Sequence, residues 1–368
     1  MGSESLLKLV MIVKNEAGGI GKTLTSVKPW IDRWAILDTG STDGTQDVIR
    51  KALADIPGAL HEAPFVDFSR SRNQAMSLAG TDCTYLMNLD AEDILVGGSA
   101  LRDFLRGERE RGGAPAFHLL HREGRTYRRV HIVKSGAGWT YKGVVHEVLT
   151  GPGEAKMVPG AHLEHEKEPE SAERSKRRWQ RDVELLSAEV LANPQDGRSW
   201  FYLGQSYFAL GRYAEAVRAY LRRIELGGWS EEVFYSKWCI ARIAEARGDP
   251  WPDVQQLHLD AFAHSPHRAE PLASIAAAYV RQDRHALGYI FAARAYEIPF
   301  PPPECLFVDT AIYEWRAADL VGTTAFYAKA FAIGEEAARK AYTKRPDMPR
   351  LKSNLAFYLR RRGAPIED

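Results

Sequence analysis

The chain predicts an α/β domain built on a parallel, layered sheet, followed by an all-α domain of stacked helix pairs. Three observations carry this. Short apolar runs at 6–13, 35–37 and 83–89 alternate with amphipathic helical stretches, the pattern of strands connected by crossover helices. From about residue 168 the sequence reads as helix almost without interruption. Within that half, Trp200-Phe201-Tyr202-Leu203-Gly204-Gln205-Ser206-Tyr207 returns in weaker form as Leu272, Ile275, Ala276 and Tyr279, so the helices repeat as pairs. The expected domains are therefore 1–168 and 169–368.

The elements follow in order. The run at 6–13 is a buried strand, and a helix from about 20 to 28 stops before Pro29. The 35–37 strand leads through Ser41-Thr42-Asp43-Gly44, each of whose polar residues can cap a helix, into a segment with Val48, Ile49 and Leu53 at helical spacing. A third helix, 69–78, sets Arg72, Ala75, Met76 and Ala79 at offsets of three and four and holds Arg72 near its start. The next strand ends in Leu86-Met87-Asn88-Leu89-Asp90-Ala91-Glu92-Asp93. Alternating runs at 116–120, 127–133 and 144–149 read as antiparallel strands added to the sheet. Residues 173–191 form one long amphipathic helix ended by Asn193-Pro194. The Trp200 segment matches the tetratricopeptide pattern W-x2-L-G-x2-Y, with Ala216 and Tyr220 where the second helix needs a small residue and an aromatic. Pro299, Pro301, Pro302 and Pro303 mark a break before the final helices.

Composition excludes several classes. A chain of 368 residues with 45% hydrophobic and 26% charged residues is ordinary globular protein, and a net charge of +1 gives no electrostatic reason to expect nucleic acid. Cys83, Cys239 and Cys305 are odd in number, far apart and without metal spacing, which fits a reducing, cytoplasmic setting. The apolar run at 9–13 is cut short by Lys14-Asn15-Glu16, and nowhere do about 18 apolar residues run together. Neither a signal peptide nor a membrane span is expected.

Several motifs carry chemistry. Asp90, Glu92 and Asp93 follow the carboxyl end of a buried strand, where ligands of open α/β sheets gather and where a D-x-E pair can chelate a divalent cation. Asp38 also closes a strand beside a helix start, a position suited to a ribose or base hydrogen bond. Arg70 and Arg72 stand at a helix start where the dipole repels them, a penalty that a diphosphate would reverse. Gly18-Gly19-Ile20-Gly21-Lys22-Thr23 imitates a P-loop, but Glu16 stands where that pattern needs its first glycine.

In that order, Val10-Met11-Ile12-Val13-Lys14-Asn15-Glu16, the Asp38 segment, Phe68-Ser69-Arg70-Ser71-Arg72-Asn73 and Asn88-Leu89-Asp90-Ala91-Glu92-Asp93 resemble the family 2 glycosyltransferases of GT-A fold. The resemblance is closest to the subgroup with a C-terminal tetratricopeptide-like domain that includes the glycocin S-glycosyltransferases. It covers 7–165 and, more loosely, 173 onward. It implies inverting transfer from a nucleotide-sugar, usually a UDP-sugar, with Mg2+ or Mn2+. By the same resemblance Val13 and Glu16 edge the nucleotide pocket, Asp38 contacts uracil or ribose, Arg72 the diphosphate, and Asp90 the ribose or metal. Glu92 becomes a metal ligand, although the usual D-A-D-E reads Asp90-Ala91-Glu92-Asp93 here.

An inverting transfer needs a base for the acceptor proton. Glu147, in the Trp139 to Glu147 segment, is the first candidate and Asp93 the second. His162 and His165, which come after the last expected strand, and His146 compete as a third metal ligand. The basic run at 174–178 reads as the wet face of a helix, with a secondary role in holding an acidic donor or acceptor. The expected acceptor is a hydroxyl or thiol of a peptide or small molecule, and stacked helix pairs supply a groove for a peptide or for a second copy as a homodimer. The rivals are a non-catalytic scaffold with a relic α/β domain, and a nucleotidyltransferase, whose usual glycine-rich basic loop after the first strand is missing here.

Overall fold

The computed structural model describes residues 5–123, 125–165, 172–302 and 304–362. The chain divides into two compact units, Met1–Ala192 and Asn193–Asp368. The domain border expected at 168 lies outside the described residues, and the helix after it belongs to the first unit. The physical reason is local: the Arg181 guanidinium lies 4.0 Å from the Phe65 ring centroid and 5.4 Å from that of Phe68.

In the first unit the strands are β1 (Ser5–Val13), β2 (Arg33–Asp38), β3 (Gly58–Glu62), β4 (Cys83–Asn88), β5 (Asp93–Val96), β6 (Ala116–Glu123), β7 (Arg125–Lys134), β8 (Thr140–Lys142), β9 (Val148–Thr150) and β10 (Ala155–His165). The helices are α1 (Ile20–Val27), α2 (Thr45–Ala52), α3 (Phe68–Ala79), α4 (Gly98–Glu110) and α5 (Ala172–Ala192). Eight strands form one sheet in the order β3-β2-β1-β4-β7-β6-β10-β5, and β8 pairs with β9 in a separate ribbon. β1 to β4 are mutually parallel, and β10 pairs parallel with β6; β7 runs against β4 and β6, and β5 against β10. The register places Val13 opposite Asp38, Val10 opposite Asn88 and His165 opposite Asp93. The ends of β1, β2, β4 and β10 thus share one edge of the sheet.

Three expectations change. The edge strands β3 and β5 escaped the apolar-run criterion because they are short and only partly covered. Of the strand expected over 144–149, only Val148–Thr150 pairs. His162 and His165, expected after the last strand, lie within it.

The second unit is α6 (Gly197–Ala209), α7 (Tyr213–Leu226), α8 (Ser230–Arg247), α9 (Trp251–His264), α10 (Glu270–Arg281), α11 (His285–Glu297), α12 (Ala317–Thr324), α13 (Phe331–Lys344) and α14 (Pro349–Arg362), with a π-helical turn Ile312–Arg316 before α12. The repeat residues do the packing that their pattern requires. Ala216 and Tyr220 are fully buried, and a Cβ on Gly204 would lie 2.7 Å from the Tyr220 ring, so α6 and α7 meet where only glycine fits. In the weaker copy Leu272, Ile275, Ala276 and Tyr279 are all buried. Among the described residues, no helix is long and apolar enough to cross a membrane.

Candidate active site

The loop after β1 and the loop after β2 are laced together by side chains. Asn15 adopts a left-handed backbone (φ 57°), which asparagine tolerates better than most residues. Its N–H donates to Ser41 Oγ at 2.9 Å, and its side-chain oxygen accepts from the Thr42 N–H at 2.8 Å. The Glu16 N–H donates to Thr45 Oγ1 at 2.8 Å and that of Ala17 to Asp43 Oδ2 at 3.0 Å. Of the three residues expected to cap α2, only Asp43 accepts a helix N–H, that of Thr45 at 3.1 Å; Ser41 and Thr42 hold Asn15 instead. Asp38 Oδ1 accepts from the Gly40 and Ser41 N–H groups, both at 2.7 Å. Its Oδ2 is buried and has no hydrogen-bond partner.

The acid loop after β4 is fixed from beneath by α1. Thr23 Oγ1 donates to the Ala91 carbonyl at 2.6 Å, and Asp93 Oδ2 accepts from the Asp90 N–H at 2.8 Å. This leaves Glu92 half-exposed, with Oε2 at 2.7 Å from His165 Nε2, while His165 Nδ1 lies 3.3 Å from Asp93 Oδ1. Glu92 and His165 therefore converge, with a second carboxylate orienting the imidazole from behind.

Arg72 lies near the start of α3 and is held between two carboxylates. Its Nη2 donates to Asp90 Oδ1, its Nε donates to Glu147 Oε1 at 2.6 Å, and its guanidinium lies 5.3 Å from the Tyr141 ring centroid. Burial opposes the charge on Asp90, but the adjacent Arg72 outweighs it and holds the carboxyl well below the ordinary range. Burial pushes the Tyr141 hydroxyl up to about 12. The segment carrying Glu147 is anchored to α3, where Asn73 donates to the Tyr141 carbonyl at 2.9 Å and accepts from its N–H at 2.7 Å.

A cleft of about 730 Å3 opens over these strand ends. Val13, Glu16, Asp90, Glu92, Asp93 and His165 line it; Asp38, Arg72 and Glu147 do not, although Thr39 next to Asp38 does. His146 and His162 also lie elsewhere, so His165 is the histidine brought to Glu92.

The cleft includes residues that sequence reasoning did not single out. Phe65 and Phe68 form one wall, and Arg181 and Asp182 of α5 join Arg177 and Arg178, whose basic run had only a secondary role assigned to it. Burial pushes the Asp182 carboxyl up to about 6, against the pull of Arg178 and Arg181. From the β6–β7 hairpin come His121, Tyr127 and Arg129. The Tyr127 ring stacks on His121 at 4.8 Å and 7°; His121 Nε2 lies 2.6 Å from His131 Nε2, and His131 Nδ1 2.7 Å from the Asn88 carbonyl oxygen. Burial lowers His131 to about 4, so the ring is neutral. Only the hairpin pairing brings these residues together; the usable signal was a histidine directly after the 116–120 run and another within the 127–133 run.

Residues 8–106 match the model of the family described as Glycosyl transferase family 2. The first unit contains a family 2 glycosyltransferase domain. Asp38, Arg72 and the Asp90 to Asp93 loop lie inside the matched segment; Glu147, His165 and α5 lie beyond it. A TPR repeat-containing protein of Synechococcus elongatus is 37% identical over 117 residues, which is 32% of this chain and 27% of that protein. The chain thus spans about a quarter of that relative's length. Among solved structures, MamA is 14% identical with a TM-score of 0.36, over 49% of this chain and 98% of that one. YrrB, described as a TPR protein with an unusual peptide-binding site, is 14% identical with a TM-score of 0.35, over 51% of this chain and 86% of that one.

Proposed function

We propose that the glycosyltransferase domain moves a sugar, with inversion, from a UDP-sugar to a hydroxyl or thiol of a peptide or small molecule, aided by Mn2+ or Mg2+. The observation that carries this is the convergence of Glu92 and His165 in the cleft. Their donor atoms are 2.7 Å apart, near the separation of about 3 Å between adjacent ligands of an octahedral ion with 2.1 Å bonds. The carboxylate–imidazole pair, backed by Asp93, suits Mn2+ better than a site of oxygens alone. Such an ion would neutralise charge on the departing diphosphate.

The chain's own groups supply the rest. Arg177, Arg178 and Arg181 give the cleft a cationic wall for the diphosphate, a larger role than sequence suggested. The buried, unpartnered Asp38 Oδ2 supports a hydrogen bond from ribose or uracil next to the Thr39 wall. Glu147 is spent on Arg72, so the base candidates within the cleft are Asp93 and Asp182; a carboxyl near 6 is well matched to taking a proton at neutral pH. Unpaired cysteines support a cytoplasmic setting. The repeats of the second unit offer a surface for an acceptor peptide or a second copy.

A thermal-shift panel of UDP-, GDP- and dTDP-sugars with Mn2+ should stabilise the protein most with a UDP-sugar. Glu92→Ala should lower metal-dependent kcat by about 10²–10³-fold while leaving the fold intact. A chain that binds neither UDP nor Mn2+ in isothermal titration would sink the proposal.

A further inference from the structure

The second unit contains a cluster of metal-ligating groups that the glycosyl-transfer chemistry does not use. Glu231 at the start of α8, His267 in the α9–α10 connection and Cys305 in the proline-rich connection after α11 bring a carboxylate oxygen, an imidazole nitrogen and a sulfur within 4.8 Å of one another. Glu231 Oε1 lies 3.5 Å from His267 Nε2, and Cys305 Sγ lies 3.7 Å from the same nitrogen. One imidazole nitrogen can satisfy only one of these neighbours with a hydrogen bond. Ligands of a tetrahedral zinc ion, with bonds of about 2.0–2.3 Å, stand about 3.3–3.8 Å apart, a range that contains both separations.

We propose that Glu231, His267 and Cys305 form a three-ligand site for a thiophilic divalent cation of the zinc class. Glu231 is divided in the way such a ligand requires. Its Oε2 accepts from Arg268 Nη1 at 2.5 Å and from the Leu306 N–H at 3.0 Å, fixing the carboxylate, while Oε1 is turned to His267. Arg268 does not oppose the ion, because its Nη2 is paired with Glu270 at 2.7 Å, leaving the group with a net negative charge. His267 is half-exposed, which gives the ion an entry path and leaves a fourth position for water. On binding, the Cys305 thiol gives its proton to solvent and its sulfur bonds the ion, with no change of oxidation state. The site clips together three segments that are far apart in sequence.

Cobalt titration of the reduced full-length chain tests this, because a thiolate-to-cobalt charge-transfer band reports sulfur ligation and is blind to the Glu92–His165 pair. Cys83 and Cys239 are buried, so the band is assigned by its loss in Cys305→Ser. The expected result is a band that saturates at one equivalent, vanishes in Cys305→Ser, weakens at least about tenfold in affinity in His267→Ala, and is displaced by Zn2+. A second readout needs no variant: Zn2+ should protect Cys305 from alkylation in the wild-type protein. No band, a band that survives Cys305→Ser, or alkylation of Cys305 unaffected by Zn2+ would each overturn the site.

Discussion

Each unit buries one arginine between two carboxylates, and the two clusters do opposite work. In the helical unit Arg268 is sealed: its side chain and that of Glu270 are 0% exposed, Tyr313 donates a hydrogen bond to Glu270 at 2.7 Å, and the guanidinium lies 4.5 Å from the Phe234 ring centroid. In the glycosyltransferase unit Arg72 is buried, but its partner Asp90 is 37% exposed and faces the cleft. The sealed cluster locks helices together, whereas the open one presents an oriented carboxylate to solvent. The residue types are nearly the same in both, so the wall beyond the second carboxylate decides the role.

The sharpest way to break this contrast is Arg268→Ala. It should cost about 3–5 kcal/mol in denaturant unfolding, because two carboxylates lose their buried counter-charge, while UDP affinity stays unchanged. Arg72→Lys should cost less, about 1.5–3 kcal/mol, since one ammonium cannot serve Asp90 and Glu147 as the guanidinium fork does. It should also lower transfer by about 10–100-fold, and equal losses of activity in the two variants would erase the distinction. Gly204→Ala should destabilise the helical unit by about 1–3 kcal/mol through overpacking on Tyr220, read as a lower midpoint with no change in the donor's Kd.

The last expected effect, no larger than that of Gly204→Ala, concerns pH. Asp182 has a folded value near 6 against an ordinary 3.8. Well below pH 3.8 its carboxyl is protonated in both states, so burial carries no ionisation cost. As pH rises through 6 the unfolded chain has already lost the proton, and the folded state is disfavoured relative to acid conditions. Asp182→Asn should therefore stabilise the protein by about 1–3 kcal/mol at pH 7 and by little at pH 4. If Asp182 is the base, the same variant also lowers kcat, which Asp93→Asn at the same assay pH would distinguish.

The two halves were legible to different degrees. Tetratricopeptide-like packing could be read because Gly204, Ala216 and Tyr220 meet within one helix pair, over a short stretch of chain. The strand-end acids were legible as well, since Asp38 and the Asp90 to Asp93 loop each follow an apolar run. The α5 wall was read only as a basic run, because its cleft-facing side depends on Phe65 and Phe68 more than a hundred residues earlier.

By itself the sequence determined the succession of strands and helices, the repeat packing and the acids at the strand ends, because each depends on local periodicity. Tertiary structure alone decided which of these groups meet. Pairing β5 against β10 sets His165 opposite Asp93 and so next to Glu92; folding the Trp139 to Glu147 segment onto α3 commits Glu147 to Arg72 rather than to the cleft. Both outcomes depend on register between segments some seventy residues apart, and no local pattern encodes that register.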